Sequence, residues 1–240
     1  MRRQACLSLC CILAPSLLPR AGRGQELIAG WEGDRLGGYA FASTLVSVGL
    51  GSHHALVLVG SGSYLYYSFP DSGGLTEVAS PGVSAAVGYR LHTQRMSATL
   101  SAAYEVRRTW ERPAVLPSTR RTGPGVAAEG ELWLQATPLT VVDAIVSYSD
   151  ANRYLWARSG LQRQLTNTHF QRPVALGVGV EGTVQGDRDV RAYEAGVVIA
   201  LEFVRTDGSL QVRTGYARLQ YSDQTSESKP YFGVALYRAF

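Results

Sequence analysis

The chain has 240 residues, of which 45% are hydrophobic and 18% are charged, with 23 basic and 19 acidic residues. Four of the basic residues precede Gln25 in a stretch without Asp or Glu, so the rest of the chain carries 19 basic and 19 acidic residues and is neutral. All three cysteines lie within the first eleven residues. These figures exclude a basic nucleic-acid-binding protein, a disulfide scaffold and a cysteine-ligated metal site.

Residues 1–24 have the composition of a secretory signal peptide. Two arginines follow Met1, and an apolar run then extends from Ala5 to Leu18. This run is shorter than the roughly 20 residues that a membrane-spanning helix needs. Small residues stand just before Gln25, as signal peptidase requires. We therefore predict a signal peptide over residues 1–24, followed by one exported domain over residues 25–240.

From residue 25 onward, apolar and polar side chains alternate with a period of two. Between Arg95 and Trp110, one face carries Met96, Leu100 and Tyr104 and the other is polar. Such alternation predicts strands with one apolar face. We predict twelve, at residues 27–33, 37–49, 53–67, 81–92, 95–109, 124–136, 139–150, 153–164, 172–184, 189–204, 209–221 and 230–240.

The predicted connections alternate in character along most of the chain. Several are tight, whereas residues 70–80, 110–123 and 222–229 are long, polar and rich in Gly, Pro and Ser. Outer-membrane barrels have short turns at the periplasmic rim and longer loops outside. The connections at 151–152 and 166–171 depart from this rule. An even number of strands places both chain ends at the periplasmic rim.

The alternation alone does not say which face points inward, and a soluble β-barrel or sandwich is the alternative. Two features favour a membrane barrel. The polar faces carry charges among otherwise small residues, which suits the interior of a narrow barrel. Thirteen Tyr and four Trp outnumber six Phe, as expected of aromatic girdles at a membrane interface. We assign girdle positions to Trp31, Trp110, Tyr148 and Tyr154.

The C-terminal strand ends in an aromatic residue, which is typical of the signal for barrel insertion in Gram-negative bacteria. Arg238 interrupts the apolar face of this strand but lies where its side chain can reach water. The predicted insertion signal consists of Phe232, Val234, Leu236 and Phe240. We predict an all-β fold, an antiparallel transmembrane β-barrel of about twelve strands, located in the outer membrane and inserted by the barrel-assembly machinery.

Several stretches of the chain resemble the cellulose biosynthesis protein BcsS family. They are Gly30–Glu32, Gly60–Tyr67, Pro81–Arg90, Ala103–Arg108, Ser147–Arg158 and Gly233–Phe240. The resemblance implies a small outer-membrane protein that works with cellulose synthase components. It therefore implies a role in cellulose production or export, with the cellulose chain or secretion components as partners. The resemblance assigns no catalytic residues to this chain.

Charged and aromatic residues on the polar faces are candidates for the lining of the lumen. They are Glu105, Arg107, Glu129, Glu131, Trp133, Asp143, Trp156, Arg158, Glu181, Glu194, Glu202 and Arg213. One interpretation is a polar path for a neutral glucan, in which Trp133 and Trp156 stack against sugar rings. The other is a network of ion pairs that fills and stabilises a narrow barrel, since an unpaired charge there is costly.

Two other functions are alternatives for such a barrel: an outer-membrane lipid-modifying enzyme and a general small-solute porin. Such an enzyme needs a nucleophile or water beside a general base near the outer rim. The histidines His53, His54, His92 and His169 fall near the periplasmic rim of the predicted topology. Adjacent strand residues such as His53 and His54 point to opposite faces and make a poor metal site. We therefore expect no catalysis, no metal and no cofactor.

Overall fold

A computed structural model of the chain describes residues 24–34, 37–71, 74–115, 117–151, 153–165, 174–186, 190–203, 206–221 and 226–240. The predicted signal peptide apart from Gly24, the connection at 166–171 with His169, and Asn152 lie outside these residues. Among the described residues, no helix has the length and apolar character needed to cross a membrane.

The described residues form twelve antiparallel strands that close into a single barrel, which confirms the predicted fold. Each strand pairs with its neighbours in sequence, and β1 also pairs with β12, so the sheet has no free edge. The strands are β1 (Gly24–Gly33), β2 (Gly37–Gly49), β3 (His54–Asp71), β4 (Gly74–His92), β5 (Met96–Arg112), β6 (Thr119–Thr137), β7 (Thr140–Ser149), β8 (Tyr154–Gln164), β9 (Val174–Gly186), β10 (Val190–Phe203), β11 (Gly208–Tyr221) and β12 (Ser226–Ala239).

The strands extend unequally at one of the two rims of the barrel. One rim, which we call the terminal rim, holds Gly24 and Phe240, where the Phe240 amide donates to the Gln25 carbonyl at 2.9 Å. At the opposite, distal rim, strands β3 to β6 rise above their neighbours, because they contain 17–19 residues and the other strands 10–14.

The prediction of long loops at residues 70–80 and 110–123 was wrong. Strands β3 and β4 stay paired as far as Asp71 and Gly74, and β5 and β6 as far as Glu111 and Thr119. The third predicted loop, at 222–229, is also shortened, because β12 begins at Ser226. Gly, Pro and Ser suggested loops, but a hairpin already in register continues to satisfy its backbone hydrogen bonds when it extends.

The alternation has the orientation predicted for a membrane barrel. Apolar side chains that point outward are exposed, such as Leu100 at 68%, Val180 at 56% and Leu236 at 54%. Charged residues of the opposite parity are buried in the interior, such as Asp143 and Arg213. An apolar outside around a polar inside is the arrangement of a barrel that is surrounded by lipid.

Outward aromatic residues concentrate near the distal rim. They include Trp31, Tyr64, Tyr104, Tyr148, Tyr193, Tyr216 and Phe232, and the Trp31 and Phe232 rings lie 6.3 Å apart. The assignment of Tyr154 to this girdle was wrong, because its side chain is 5% exposed and lies inside the barrel. Tyr154 is directly opposite Ser149, and residues directly opposite each other share a face, which here is the inner one.

Candidate functional site

The barrel interior contains all twelve residues predicted to line the lumen. Eight of them are buried by neighbouring side chains rather than open to a channel, namely Glu105, Arg107, Trp133, Asp143, Trp156, Arg158, Glu181 and Arg213. Glu129, Glu131, Glu194 and Glu202 have the same inward parity and are partly buried. These residues come from all seven strands from β5 to β11.

Arg213 on β11 is the centre of this charged cluster. Its Nε lies 3.4 Å from Glu181 Oε2, and its Nη1 lies 3.7 Å from Glu32 Oε2. The Tyr231 hydroxyl donates a 2.9 Å hydrogen bond to the other oxygen of Glu181, and Arg213 Nη2 donates to Gln211 Oε1 at 2.9 Å. Glu32 lies on β1 and Glu181 on β9, so Arg213 links strands that are each two positions from its own along the wall.

A second chain of hydrogen bonds extends the cluster to β8 and β10. The Tyr154 hydroxyl donates to Gln185 Oε1 at 2.7 Å, and Gln185 Nε2 donates to Glu194 Oε1 at 2.6 Å. Beside them, the Arg158 guanidinium lies 5.4 Å from the centre of the Trp156 ring, a cation–π distance. Charges and dipoles from six strands therefore compensate one another inside the barrel.

Inward glycines make room for these large side chains on the strand next to them. A Cβ on Gly160 would lie 2.7 Å from Asp143 Oδ1, and one on Gly215 would lie 2.8 Å from Tyr231 Cε1. A Cβ on Gly82 would lie 3.0 Å from Arg107 Nη2. A larger residue at these positions would displace the neighbouring side chains, so these glycines create packing space for them.

A separate ion pair lies toward the terminal rim. Arg90 Nη1 on β4 contacts Glu26 Oε1 on β1 at 2.6 Å, and Arg90 Nε donates to Thr99 Oγ1 at 3.1 Å. Strands β1 and β4 are separated by two others in the sheet. This pair therefore also reaches across the interior.

The opposite side of the interior, along β2 to β7, is lined by small residues and leaves a cleft of about 100 Å³. Arg107 holds one end of it, donating to the Ser80 carbonyl at 2.9 Å and to Ser63 Oγ at 3.0 Å. Ser149 donates to Glu105 Oε1 at another part of the lining. The lining includes Ser43, Ser61, Ser84, Ala86, Ser101, Ala103, Ala127 and Ser147.

The two tryptophans proposed as sugar-stacking residues are packed into the interior. Trp156 is 1% exposed and belongs to a cluster with Phe41 and Ile145, and Trp133 is 5% exposed. Their indole Nε1 atoms are buried and have no hydrogen-bond partner among the described residues. Neither ring presents a free face to a sugar in this conformation.

Sequence reasoning overlooked Glu26, Glu32, Arg90, Gln185 and Tyr231, which complete the two clusters. Each has the inward parity of its strand, so extending the alternation to every strand would have found them. The ion-pair partners of Glu26, Glu32 and Arg90 were not accessible to this reasoning, because those contacts join strands that are not neighbours.

The residues of the predicted insertion signal share the lipid-facing side of β12. Phe232 is 45% exposed and Phe240 68%, and the interrupting Arg238 lies 4.7 Å from the centre of the Phe240 ring. The signal itself stays a prediction.

The three histidines in the described residues lie at the terminal rim. The His53 and His92 rings are 6.5 Å apart, and His54 contacts the Tyr89 hydroxyl on the outer face. No group of three or more His, Cys, Asp or Glu side chains arranged for a metal occurs within the described part of the chain.

Solved structures with the same fold include autotransporter barrels. The translocator domain of the autotransporter NalP from Neisseria meningitidis gives a TM-score of 0.54 at 10% identity, covering 92% of this chain and 88% of that one. The transport unit of the autotransporter AIDA-I from Escherichia coli gives 0.53 at 8% identity, covering 95% and 92%. The beta domain of the Bordetella autotransporter BrkA gives 0.52 at 11% identity, covering 91% and 99%. These likenesses establish the outer-membrane type of barrel and nothing about function.

Residues 29–240 match the family of cellulose biosynthesis protein BcsS. The chain belongs to this family. The match begins within β1 and runs to the last residue, so in this BcsS-family member it includes the Arg213 cluster and the cleft. A comparison with curated protein sequences gives no significant match.

Proposed function

We propose that this BcsS-family barrel is an outer-membrane accessory protein of cellulose production that acts as a scaffold, with its lumen closed by the Arg213 cluster. The observation that carries this proposal is the burial of Arg213, Glu181 and Glu32, each at most 9% exposed, with Arg213 in contact with both acids inside the barrel. Side chains lining an open aqueous channel would be hydrated instead.

The size of the cleft supports a closed lumen. Its volume of about 100 Å³ is below the roughly 300–1,000 Å³ of sites that enclose small molecules. A glucan chain passing along the barrel would have to widen this cleft, displace Trp156 or separate Arg213 from its acids. Separating a buried ion pair is strongly unfavourable, so the outer surface and the rims are left for contacts with secretion components.

The proposed location follows from the lipid-facing apolar surface. The outward residues from Phe232 to Phe240 extend about 26 Å along β12, and a tilted strand of this length crosses the apolar layer of an outer membrane. We propose that outer-membrane lipids surround the barrel and that the barrel-assembly machinery recognises Phe232, Val234, Leu236 and Phe240.

Conductance in planar bilayers tests the closed lumen. The folded barrel, checked by its heat-modifiable mobility on a gel, is expected to give no steady conductance, whereas an open porin in the same bilayer serves as the positive control. A stable single-channel current from the wild-type barrel would contradict the scaffold and support the porin or the conduit.

Complementation of a deletion strain tests the pathway. Deleting the gene is expected to reduce secreted cellulose, and both Ala86→Phe, which fills the cleft, and Ala85→Phe, its lipid-facing neighbour, are expected to restore it. Selective failure of Ala86→Phe, with normal amounts of folded barrel in the membrane, would indicate that glucan passes through the cleft. Unchanged cellulose in the deletion strain would remove the pathway assignment.

We further propose that the barrel is not a lipid-modifying enzyme. General acid–base catalysis contributes about 10²- to 10⁴-fold to a rate, so a catalytic histidine would be evident on replacement. His53→Ala, His54→Ala and His92→Ala are each expected to leave lipid A and phospholipid turnover in the outer membrane unchanged. A loss of turnover of that size in any one variant, with the barrel still folded, would establish an enzyme.

A further inference from the structure

Acidic and basic side chains are distributed unequally between the inner and outer faces of this barrel. Acids concentrate on the inner face, where Glu26, Glu32, Glu105, Asp143 and Glu181 lie. Most charged strand residues on the outer face toward the distal rim are exposed arginines, namely Arg108, Arg112, Arg120, Arg191 and Arg218. Within the described strands, Glu77 is the acidic residue on this part of the outer face. The part of the chain after the signal peptide is neutral overall, so this sorting makes the outer surface basic.

Three of these arginines surround one tryptophan. Arg120 on β6 is directly opposite Trp110 on β5, and Arg108 and Arg112 lie two residues to either side of Trp110 on the same face. Same-face neighbours along a strand are about 7 Å apart, and facing and diagonal neighbours about 5–8 Å. The three guanidinium groups can therefore reach a single ligand. We call these four residues the arginine patch.

The arginine patch lies just beyond the lipid-facing surface. Tyr104, a residue of the distal girdle, precedes Arg108 by four residues on β5, or about 13 Å along the strand. Girdle aromatics mark the level of the lipid headgroups, so Arg108 stands above that level, and Trp110 and Arg112 stand farther out, about 20 Å and 26 Å from Tyr104 along the tilted strand. No ion pair joins Arg108, Arg112 or Arg120 to an acid within the described residues.

We propose that the arginine patch binds the phosphates of the diglucosamine headgroup of lipopolysaccharide in the outer leaflet. Guanidinium groups bind phosphate through paired, charge-assisted hydrogen bonds, and Trp110 lies between these groups on the same face. The outer leaflet places phosphorylated sugars at this level. The inference rests on the outer-membrane location proposed above.

Binding of purified lipid A to the detergent-solubilised full-length barrel tests the site. Wild type is expected to prefer lipid A over its phosphatase-treated form. Since each arginine near an anionic surface contributes about 1 kcal/mol, Arg108→Gln/Arg120→Gln is expected to weaken lipid A binding roughly 30-fold and Arg108→Gln alone roughly fivefold. The matched control Arg95→Gln/Arg163→Gln removes two exposed arginines at the terminal rim and is expected to leave binding unchanged.

Three outcomes would overturn the site. They are equal affinity of the wild-type barrel for lipid A and for its dephosphorylated form, equal losses of lipid A affinity in the two double variants, and displacement of bound lipid A by millimolar inorganic phosphate. Heat-modifiable gel mobility confirms that each variant is folded, and the single variant provides the measurement if the double does not fold. If these binding results fail while the chain still fractionates with the outer membrane, the arginine patch alone is overturned. If the chain is absent from the outer membrane, the proposed function is overturned.

Discussion

Replacing Arg213 with alanine is expected to destabilise the barrel by about 3–5 kcal/mol, because removing one partner of a buried ion pair leaves the other charge uncompensated. Here two acids, Glu181 and Glu32, lose their cation, and both are buried. Glu181 keeps its hydrogen bond from Tyr231, which cannot neutralise the carboxylate charge. The midpoint of unfolding in urea, followed by tryptophan fluorescence and by the gel shift, measures the loss.

Arg218→Ala is the matched control for this substitution. Arg218 lies on the same strand but is exposed on the outer face, and a change at such a position is expected to stay within about 0.5 kcal/mol. A combined Arg213→Met/Glu32→Gln/Glu181→Gln variant is expected to recover much of the stability, since an uncharged interior lacks the desolvation cost. Equal effects of Arg213→Ala and Arg218→Ala would show that the cluster does not hold the barrel together.

Introducing arginine at Val180 is expected to cost about 2–4 kcal/mol, the penalty for this side chain on the lipid face near the bilayer midplane. Val180 is the central residue of β9 and lies between Leu161 and Val197 on the adjacent strands. All three side chains point outward and are about half exposed, at 56%, 48% and 51%. The guanidinium at this position is as far from either interface as the strand allows.

Val184→Arg is the matched control, with the same substitution on the same strand and face. Val184 is directly opposite Tyr193 of the distal girdle, where the penalty falls to about 0–1 kcal/mol. Reversible unfolding in lipid vesicles compares the two variants. If both arginines leave the stability unchanged, then the outer face is in water and the membrane barrel is wrong.

The strands of this barrel could be predicted because the alternation is local and uninterrupted. The pattern around Leu100 and Tyr104 on β5 assigns each residue to a face, and the exposure of these two side chains agrees. Which face points inward had to be inferred from a second feature: the faces that carry charged residues in mid-strand carry small residues at their other positions. Charged and small side chains occur together on the inner face of a barrel whose interior is polar and packed.

The hairpin heights and the interior contacts could not be predicted in the same way. Pro70 and Gly74 are typical of loops, yet the backbone pairing of β3 and β4 continues to that point. The contact of Arg213 with Glu32 depends on barrel closure, since β11 and β1 are brought close to each other only by the pairing of β1 with β12. Alternation identifies side chains that face inward, but the size and tilt of the barrel decide which of them meet.

The seam between β1 and β12 has a consequence for how the chain folds. Its eight residue pairs, from Glu26 with Ala239 to Gly33 with Phe232, join the two ends of the domain and are the contacts of longest sequence separation. Contacts of this kind slow folding, because a large loop must close before they form. Until then, two unpaired strand edges are available to other chains. Closure of this seam is therefore expected to be the late, rate-determining step of assembly.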